Sequence, residues 1–250
     1  MPPLNGLTRL FAATLKPWLP ARCVLCDGPG HAGMDICASC LDALPHNRRA
    51  CCQCALPLAG AGTDAVRCGQ CLNTPPRFDH AMALFEYQDD AAQLIQQLKF
   101  NDRLALSRLL GQLLLQRVIA SGAVAASASD AVVDALLPVP LHRQRLRQRG
   151  FNQSLELARI LGRALKLPLL RGEVERLRAT GSQTGLDARA RGRNIRGAFA
   201  VRKPLRYRHI AIIDDVVTTG STVNELARVL KQAGVETVSV WSVARAPRPK

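Results

Sequence analysis

A chain of 250 residues, 48% of them hydrophobic, is long enough to bury a substantial core and to divide into two domains. Its formal charge of +15 calls for polyanionic partners: pyrophosphate with its sugar phosphate, nucleic acid and an acidic membrane surface all qualify. The aromatic content of 4% argues against a single-strand surface that relies on base stacking, and the lack of GxxxxGK and GxGxxG removes the usual support for mononucleotide and dinucleotide sites.

Near the start, Arg9 and Lys16 interrupt an apolar stretch too short for a secretory signal, and Pro17 and Pro20 follow it, so a cytosolic location is expected. In a reducing compartment, clustered cysteines serve as metal ligands more often than as disulfides. All nine lie between Cys23 and Cys71. They form four CxxC pairs, Cys23 with Cys26, Cys37 with Cys40, Cys51 with Cys54 and Cys68 with Cys71. A CxxC turn offers two sulfurs to one ion, so eight thiolates make two tetrahedral Zn2+ sites, structural because a closed shell leaves no position for water or substrate. Sequential pairing, with Cys23, Cys26, Cys37 and Cys40 on one ion, is favoured by its short loops, and interleaved RING-like pairing is the competitor. Cys52 is the spare, read as a small buried residue, while His31 and His46 are read as surface-loop residues. Residues 1–76 are therefore expected to be a zinc module, residues 77–250 a second domain, with a linker at 73–77 where Pro75 and Pro76 stop regular structure.

Residues 94–118 carry Leu98, Leu109, Leu113 and Val118 in the pattern of a helix packed on a sheet; Gln112, Gln116 and Arg117 break any membrane span there. Lys99 and Arg103 are read as surface cations. Small residues at 120–130 make a loop, and 132–137 reads as a buried strand. A cationic loop leaves its C-terminal end, with Arg143, Arg145, Arg147 and Arg149, before a helix that begins near Asn152 and runs through Leu155, Ala158, Leu161 and Leu165. Positive charge concentrates here: residues 141–208 hold 18 Lys or Arg and four acids. Within that span, 178–199 is rich in Gly and Arg and reads as a mobile loop suited to closing over an anionic substrate.

The most informative segment is Ile-Ala-Ile-Ile-Asp-Asp-Val-Val-Thr-Thr-Gly-Ser-Thr, residues 210–222. An apolar β-branched run is expected to be a buried parallel strand, which leaves Asp214 and Asp215 at its C-terminal end, where open α/β sheets bind ligands. Acids there accept hydrogen bonds from sugar hydroxyls or face a metal ion. Gly220 lets the following loop turn tightly, and the N–H groups of the next helix are available to an anion. Thr222 and Glu225 have capping-box spacing, and Val223, Leu226, Val229, Leu230 and Ala233 share a face before Gly234. Two strand–loop–helix units in one parallel sheet would open on the same edge, one acidic and one cationic.

Position for position, 210–222 resembles the phosphoribosyl diphosphate signature of type I phosphoribosyltransferases. That resemblance implies that Asp214 and Asp215 hold the ribose 2- and 3-hydroxyls and that Thr218, Thr219, Gly220, Ser221 and Thr222 cradle the 5-phosphate. Arg143 or Arg149 would then meet the pyrophosphate, with Mg2+ bridging it to the ribose. Along nearly its whole length the chain also resembles the ComF family of competence and DNA-utilisation proteins. The residues that carry this are the CxxC-rich start, Tyr87, Leu98-Lys99-Phe100, Pro138-Val139-Pro140 with Arg143, Arg149-Gly150-Phe151-Asn152-Gln153, the 183–194 loop and the terminal signature. The resemblance implies a double zinc ribbon joined to a phosphoribosyltransferase-like α/β domain, acting in natural transformation or the use of external DNA. Implied partners are phosphoribosyl diphosphate, single-stranded DNA and a DNA-uptake helicase or translocation machinery. The alternative is a non-catalytic DNA-binding or regulatory adaptor that keeps the phosphoribosyl-binding fold.

Overall fold

In the computed structural model the described residues are 20–60, 66–100, 104–123, 132–179 and 195–247. The expectations for Arg9, Lys16, the Lys99 side chain, Arg103, most of the 120–130 loop and the centre of the 178–199 loop lie outside them. In chain order the elements are α1 (Ala38–Ala43), α2 (Gly69–Asn73), β1 (His80–Glu86), α3 (Asp89–Phe100), α4 (Leu104–Ala120), β2 (Ala135–Pro138), α5 (Arg143–Arg149), α6 (Gln153–Leu165), β3 (Val174–Arg176), β4 (Phe199–Val201), β5 (His209–Val217), α7 (Ser221–Gln232) and β6 (Thr237–Arg245). The expected single helix over 94–118 is thus two helices, and the expected cationic loop contains a short helix, α5.

Four strands form one sheet in the order β1-β6-β5-β2, and each neighbouring pair is parallel. A parallel strand with both faces covered can be apolar throughout, which is why Ile210, Ala211, Ile212 and Ile213 run without alternation and are all fully buried. On one face, Val223, Leu226, Ala227 and Leu230 of α7 join Leu137, Ile210, Ile212, Val238 and Val240 in one core. Helix α4 packs on α6, and these two meet β6, β5 and β2. β3 and β4 form a separate antiparallel ribbon.

Register fixes where the loops emerge. β2 and β5 run parallel, with Pro138 of β2 paired to Ile213 and β5 continuing to Val217, so the segments after each leave from the same edge of the sheet. Asn152 ties the two units together. Its side chain accepts from the Leu155 N–H at 3.4 Å as the N-cap of α6 and donates to the Val139 carbonyl at 3.0 Å. The expected capping box at Thr222 and Glu225 does not form: α7 starts two residues earlier than that box requires, at Ser221, with Gly220 as its N-cap. Glu225 instead accepts from the Gly197 N–H at 2.6 Å and pairs with Arg228 at 2.7 Å.

Contacts divide the chain into Met1–Leu44 and Pro45–Lys250, so the second cysteine quartet belongs to the unit that carries the sheet. Cys54 packs against the same core as Phe78 and Val217. Regular structure does stop at Pro75 and Pro76, after α2.

The α4–α6 contact depends on Gly111: a Cβ there would lie 2.5 Å from Ile160 Cδ1 and 3.2 Å from Ile160 Cβ. Gly111→Leu should lower stability by about 1–3 kcal/mol through overpacking, although leucine is the better helix former by roughly 0.8 kcal/mol. Urea unfolding checks this; a midpoint at or above that of the parent chain would show that the helices separate freely.

Candidate functional site

Two cysteine quartets come together, Cys23, Cys26, Cys37 and Cys40 in one and Cys51, Cys54, Cys68 and Cys71 in the other, with all sulfurs of a quartet within 4.8 Å of one another. The pairing is sequential, and the interleaved scheme is excluded. Zinc–sulfur bonds of about 2.3 Å in a tetrahedron require sulfur pairs about 3.8 Å apart. Cys26 Sγ to Cys37 Sγ and Cys54 Sγ to Cys68 Sγ are both 3.7 Å, so the side chains fit the ion as they stand.

The quartets are two copies of one knuckle. In each, the first cysteine's carbonyl accepts from an N–H four residues on, at Asp27 (2.9 Å) and Ala55 (2.8 Å). Those two residues share a left-handed backbone, with φ of 61° and 57°. In each, the third cysteine is the N-cap of a short helix, Cys37 for α1 and Cys68 for α2. Backbone N–H groups also meet sulfur, from Cys40 to Cys37 Sγ at 3.4 Å and from Cys68 to Cys51 Sγ at 3.2 Å.

Without a cation the four thiols of a quartet conflict. Burial pushes Cys23 up, but the N–H groups of Cys37, Cys26 and Leu25 outweigh it and bring the thiol down to about 6. Cys51 falls to about 7 in the same way, against burial, through the N–H groups of Cys68, Cys54 and Gln53. Burial drives Cys54 up to about 11 and Cys71 up as well, while sulfur neighbours led by Cys37 raise Cys40. One thiolate forms readily in each quartet, at Cys23 and at Cys51, while Cys40, Cys54 and Cys71 hold their protons until a divalent charge offsets the repulsion. Cys52 does not take part and is exposed, not buried as expected. His31 is exposed, and His46 lies against Phe85 with ring centroids 5.2 Å apart; neither is a ligand.

A second centre lies at the C-terminal edge of the sheet, where a cavity of about 220 Å3 opens between the segments that follow β2 and β5. Its walls include Asp214, Asp215, Thr218, Thr219, Gly220, Ser221 and Thr222, the whole of the acid and loop set read from the sequence. Gly220 has φ 79°, a conformation costly for any residue with a Cβ, and it turns the chain into α7. Thr219 Oγ1 and Ser221 Oγ lie 2.8 Å apart across that turn. The Ser221 N–H donates to Thr219 Oγ1 at 3.3 Å, and the N–H groups of Thr222 and Val223, which precede the first intrahelical bond from Asn224 to Gly220, can serve an anion.

Asp214 and Asp215 are 9% and 8% exposed. Asp214 Oδ1 accepts from Ser154 Oγ at 3.1 Å and from the Asp215 N–H at 2.9 Å; Asp215 Oδ1 accepts from the Val216 N–H at 2.8 Å. Two carboxylates buried side by side need positive charge nearby. Arg149 and Arg176 provide it from the opposite wall. Burial and the charge of Arg145 weaken proton binding on both guanidiniums, while Asp215 strengthens it on Arg149 and Asp214 on Arg176. Both stay charged near neutrality. Arg176, 6% exposed, is also held over the Phe199 ring at 5.5 Å.

Arg149 therefore reaches the cavity as the sequence suggested, and Arg143 does not. Arg143 points outward, 82% exposed, and pairs with Glu175 at 3.2 Å. Helix α5 explains the difference. Along a helix the residues at 145 and 149 share a face that 143 does not, and Arg145 lines the cavity with Arg149. Sequence reasoning missed Arg145, Arg176, Gln153 and Ser154. The spacing of Arg145 and Arg149 was a readable signal once a helix was considered. Arg176 had none, because it arrives on the β3–β4 ribbon, far along the chain. Gln153, 2% exposed, turns its Oε1 towards Arg149 at 3.4 Å, and its buried Nε2 has no hydrogen-bond partner among the described residues.

Metal analysis checks the thiolate sites. The chain should hold two zinc ions, Cys71→Ser should hold one, and Cys52→Ser should still hold two. One ion in Cys52→Ser would restore that residue as a ligand.

Comparison with known proteins agrees with this architecture. A family model described as a double zinc ribbon domain matches residues 14–72. The DNA utilization protein YhgH of Shigella flexneri is 39% identical over 230 residues, covering 91% of this chain and 98% of that protein. Competence protein F of Haemophilus influenzae is 34% identical over 232 residues, covering 90% and 97%. Competence protein ComFC of Streptococcus pneumoniae is 30% identical over 107 residues, 43% of this chain and 46% of that one. With its paired cysteine knuckles, its parallel sheet and a likeness to YhgH and competence protein F that covers 91% and 90% of its length, the chain belongs to the ComF family.

Proposed function

We propose that the chain binds phosphoribosyl diphosphate in the cavity at the sheet edge and acts in competence, DNA uptake or the use of external DNA. The observation that carries the ligand is the combination in one cavity of a buried acid pair, a hydroxyl-lined loop opening a helix, and two guanidiniums, Arg176 buried and Arg149 half-buried. Each part matches one part of the molecule. Asp214 and Asp215 suit vicinal ribose hydroxyls, the 218–222 loop suits the 5-phosphate, and Arg149 and Arg176 suit the diphosphate. The relatives' names supply the role.

The acid pair also fits Mg2+, which takes one or two carboxylates and completes its shell with water and phosphate oxygens. When bound, the ion would neutralise charge on the leaving diphosphate. The chain's own residues would do the rest. Asp214, steadied by Ser154, would fix the ribose, and Arg149 and Arg176 would take up the charge that develops as the bond from the anomeric carbon to diphosphate breaks and its electron pair leaves with the diphosphate. An acceptor's lone pair would form the new bond at that carbon. The thiolate sites, with closed shells, have no part in this chemistry.

The relatives named for DNA utilisation and the basic 141–208 segment favour single-stranded DNA as a partner, held through phosphate contacts. Among the described residues no helix is long and apolar enough to cross a membrane.

Calorimetry separates the parts. Asp214→Asn with Asp215→Asn should weaken phosphoribosyl diphosphate by roughly a hundredfold or more, since two charge-assisted contacts are lost. Arg149→Met should weaken it roughly tenfold while leaving ribose 5-phosphate almost unchanged. Unaltered affinity in the double aspartate variant would refute the site. Diphosphate release measured with Mg2+ across candidate acceptor bases then distinguishes a transferase from a binding protein, and displacement of a labelled oligonucleotide by phosphoribosyl diphosphate would place both ligands in one cleft.

A further inference from the structure

Behind the phosphate loop, on the side away from the ligand cavity, sits the second cysteine knuckle. Between them lies a second cavity of about 170 Å3, lined by Cys54, Cys71, Thr219, Gly220, Ser221 and Arg245, among others. A loop with a void at its back has little packing to hold its peptide planes. Arg245 spans the void. The last residue of β6 and 6% exposed, it turns its guanidinium inwards. Its Nε donates to the carbonyl of Cys54 at 3.1 Å, and its Nη1 donates to the carbonyls of Val217 at 3.1 Å, Ala246 at 2.9 Å and Thr218. A single planar cation thus joins a residue of the metal knuckle to two consecutive peptides of the loop.

The direction of those bonds matters. In a trans peptide the carbonyl and the following N–H point opposite ways. Carbonyls of Val217 and Thr218 drawn back towards Arg245 turn the N–H groups of Thr218 and Thr219 towards the ligand cavity. The knuckle end is equally constrained. Asn47, 3% exposed, donates through Nδ2 to the Ala55 carbonyl at 2.9 Å, and its N–H donates to Leu84 of β1 at 3.0 Å. Metal bound to Cys51, Cys54, Cys68 and Cys71 closes the turn whose carbonyl Arg245 grips.

We propose that Arg245 is a positioning residue through which the second four-thiolate site, and not the first, sets the backbone of the 218–222 loop for phosphate binding. This rests on the reading of that loop as a phosphate cradle, but the coupling itself is measurable without any ligand. Metal at the second site orders the loop; loss of that metal frees the Cys54 carbonyl, and the loop peptides are then able to rotate.

Hydrogen exchange on the full chain tests it, with Arg245→Lys as the variant because a lysine keeps the buried charge and one donor group but cannot bridge knuckle and loop. With two zinc ions retained by metal analysis, Arg245→Lys should speed exchange at Thr218, Thr219 and Ser221 roughly tenfold while α6 amides stay as they were. In a Cys23→Ser, Cys26→Ser background, which leaves only the second site, zinc removal should produce the same local change while Arg245 is in place and add little once Arg245→Lys is introduced. Unchanged loop exchange in Arg245→Lys, or an effect of zinc removal that is equal with and without that substitution, would overturn the coupling. Calorimetry with phosphoribosyl diphosphate is the second readout: affinity should fall roughly tenfold in Arg245→Lys. If the parent chain shows no binding but the exchange results hold, the ligand assignment fails and the coupling stands.

Discussion

Everything at the candidate site follows from one constraint, that all four strands of the main sheet run the same way. An antiparallel sheet would distribute its loops over two edges. Here β2 and β5 are parallel neighbours, Pro138 against Ile213, and the chain turns out of the sheet at the same edge after each. The acid pair and the arginines are far apart in sequence and would not meet without that register. The same constraint determines which helices open towards the ligand: α6 and α7 both follow strands of this sheet, so both start at the edge where the cavity lies.

Placing charge there is costly unless it is balanced. Asp214 and Asp215 are almost fully buried, and so is Arg176. The carboxylates are stabilised by hydrogen bonds from Ser154 and from backbone N–H groups, and by guanidiniums lining the same cavity; the guanidiniums are in turn held by Gln153 and by the Phe199 ring. Charges fixed in advance in a partly dry cleft need little reorganisation when a polyanion and its counter-ion enter. Such a site is less stable empty than filled, which suits ligand binding more than it suits the fold.

What the sequence made legible depended on how local the signal was. Residues 210–222 carry strand, acids, turn and helix start in one continuous run, so their placement was readable almost residue by residue. The cysteine pairs were readable because a CxxC turn is a local object, and the short loops favoured the pairing that is seen. The errors have physical causes. Thr222 and Glu225 match a capping box, but the ion pair with Arg228 and the Gly197 N–H compete for the Glu225 carboxylate, and the helix starts at Ser221. Arg143 and Arg149 look equivalent in a loop; once wound into α5, they face different ways. Arg176 and Arg245 were invisible because each reaches its site from a distant strand, and no periodicity records such a contact.

The two knuckles show how similar local chemistry can serve different ends. Both use the same turn, a left-handed residue at the same place in it and a cysteine at the N-cap of a short helix. The first lies in Met1–Leu44, while the second is packed into the unit with the sheet, its Cys54 sharing a core with Phe78 and Val217. A metal site contributes order only as far as its neighbours are rigidly connected to it. For the second knuckle those connections run through Asn47 to β1 and through Arg245 to the end of β5, two strands of the sheet whose edge forms the cavity. Stability gained on binding zinc there therefore extends to the strands and loop that present Asp214, Asp215 and the hydroxyls, and the second cysteine quartet is part of the site's framework although no sulfur of it lines the ligand cavity.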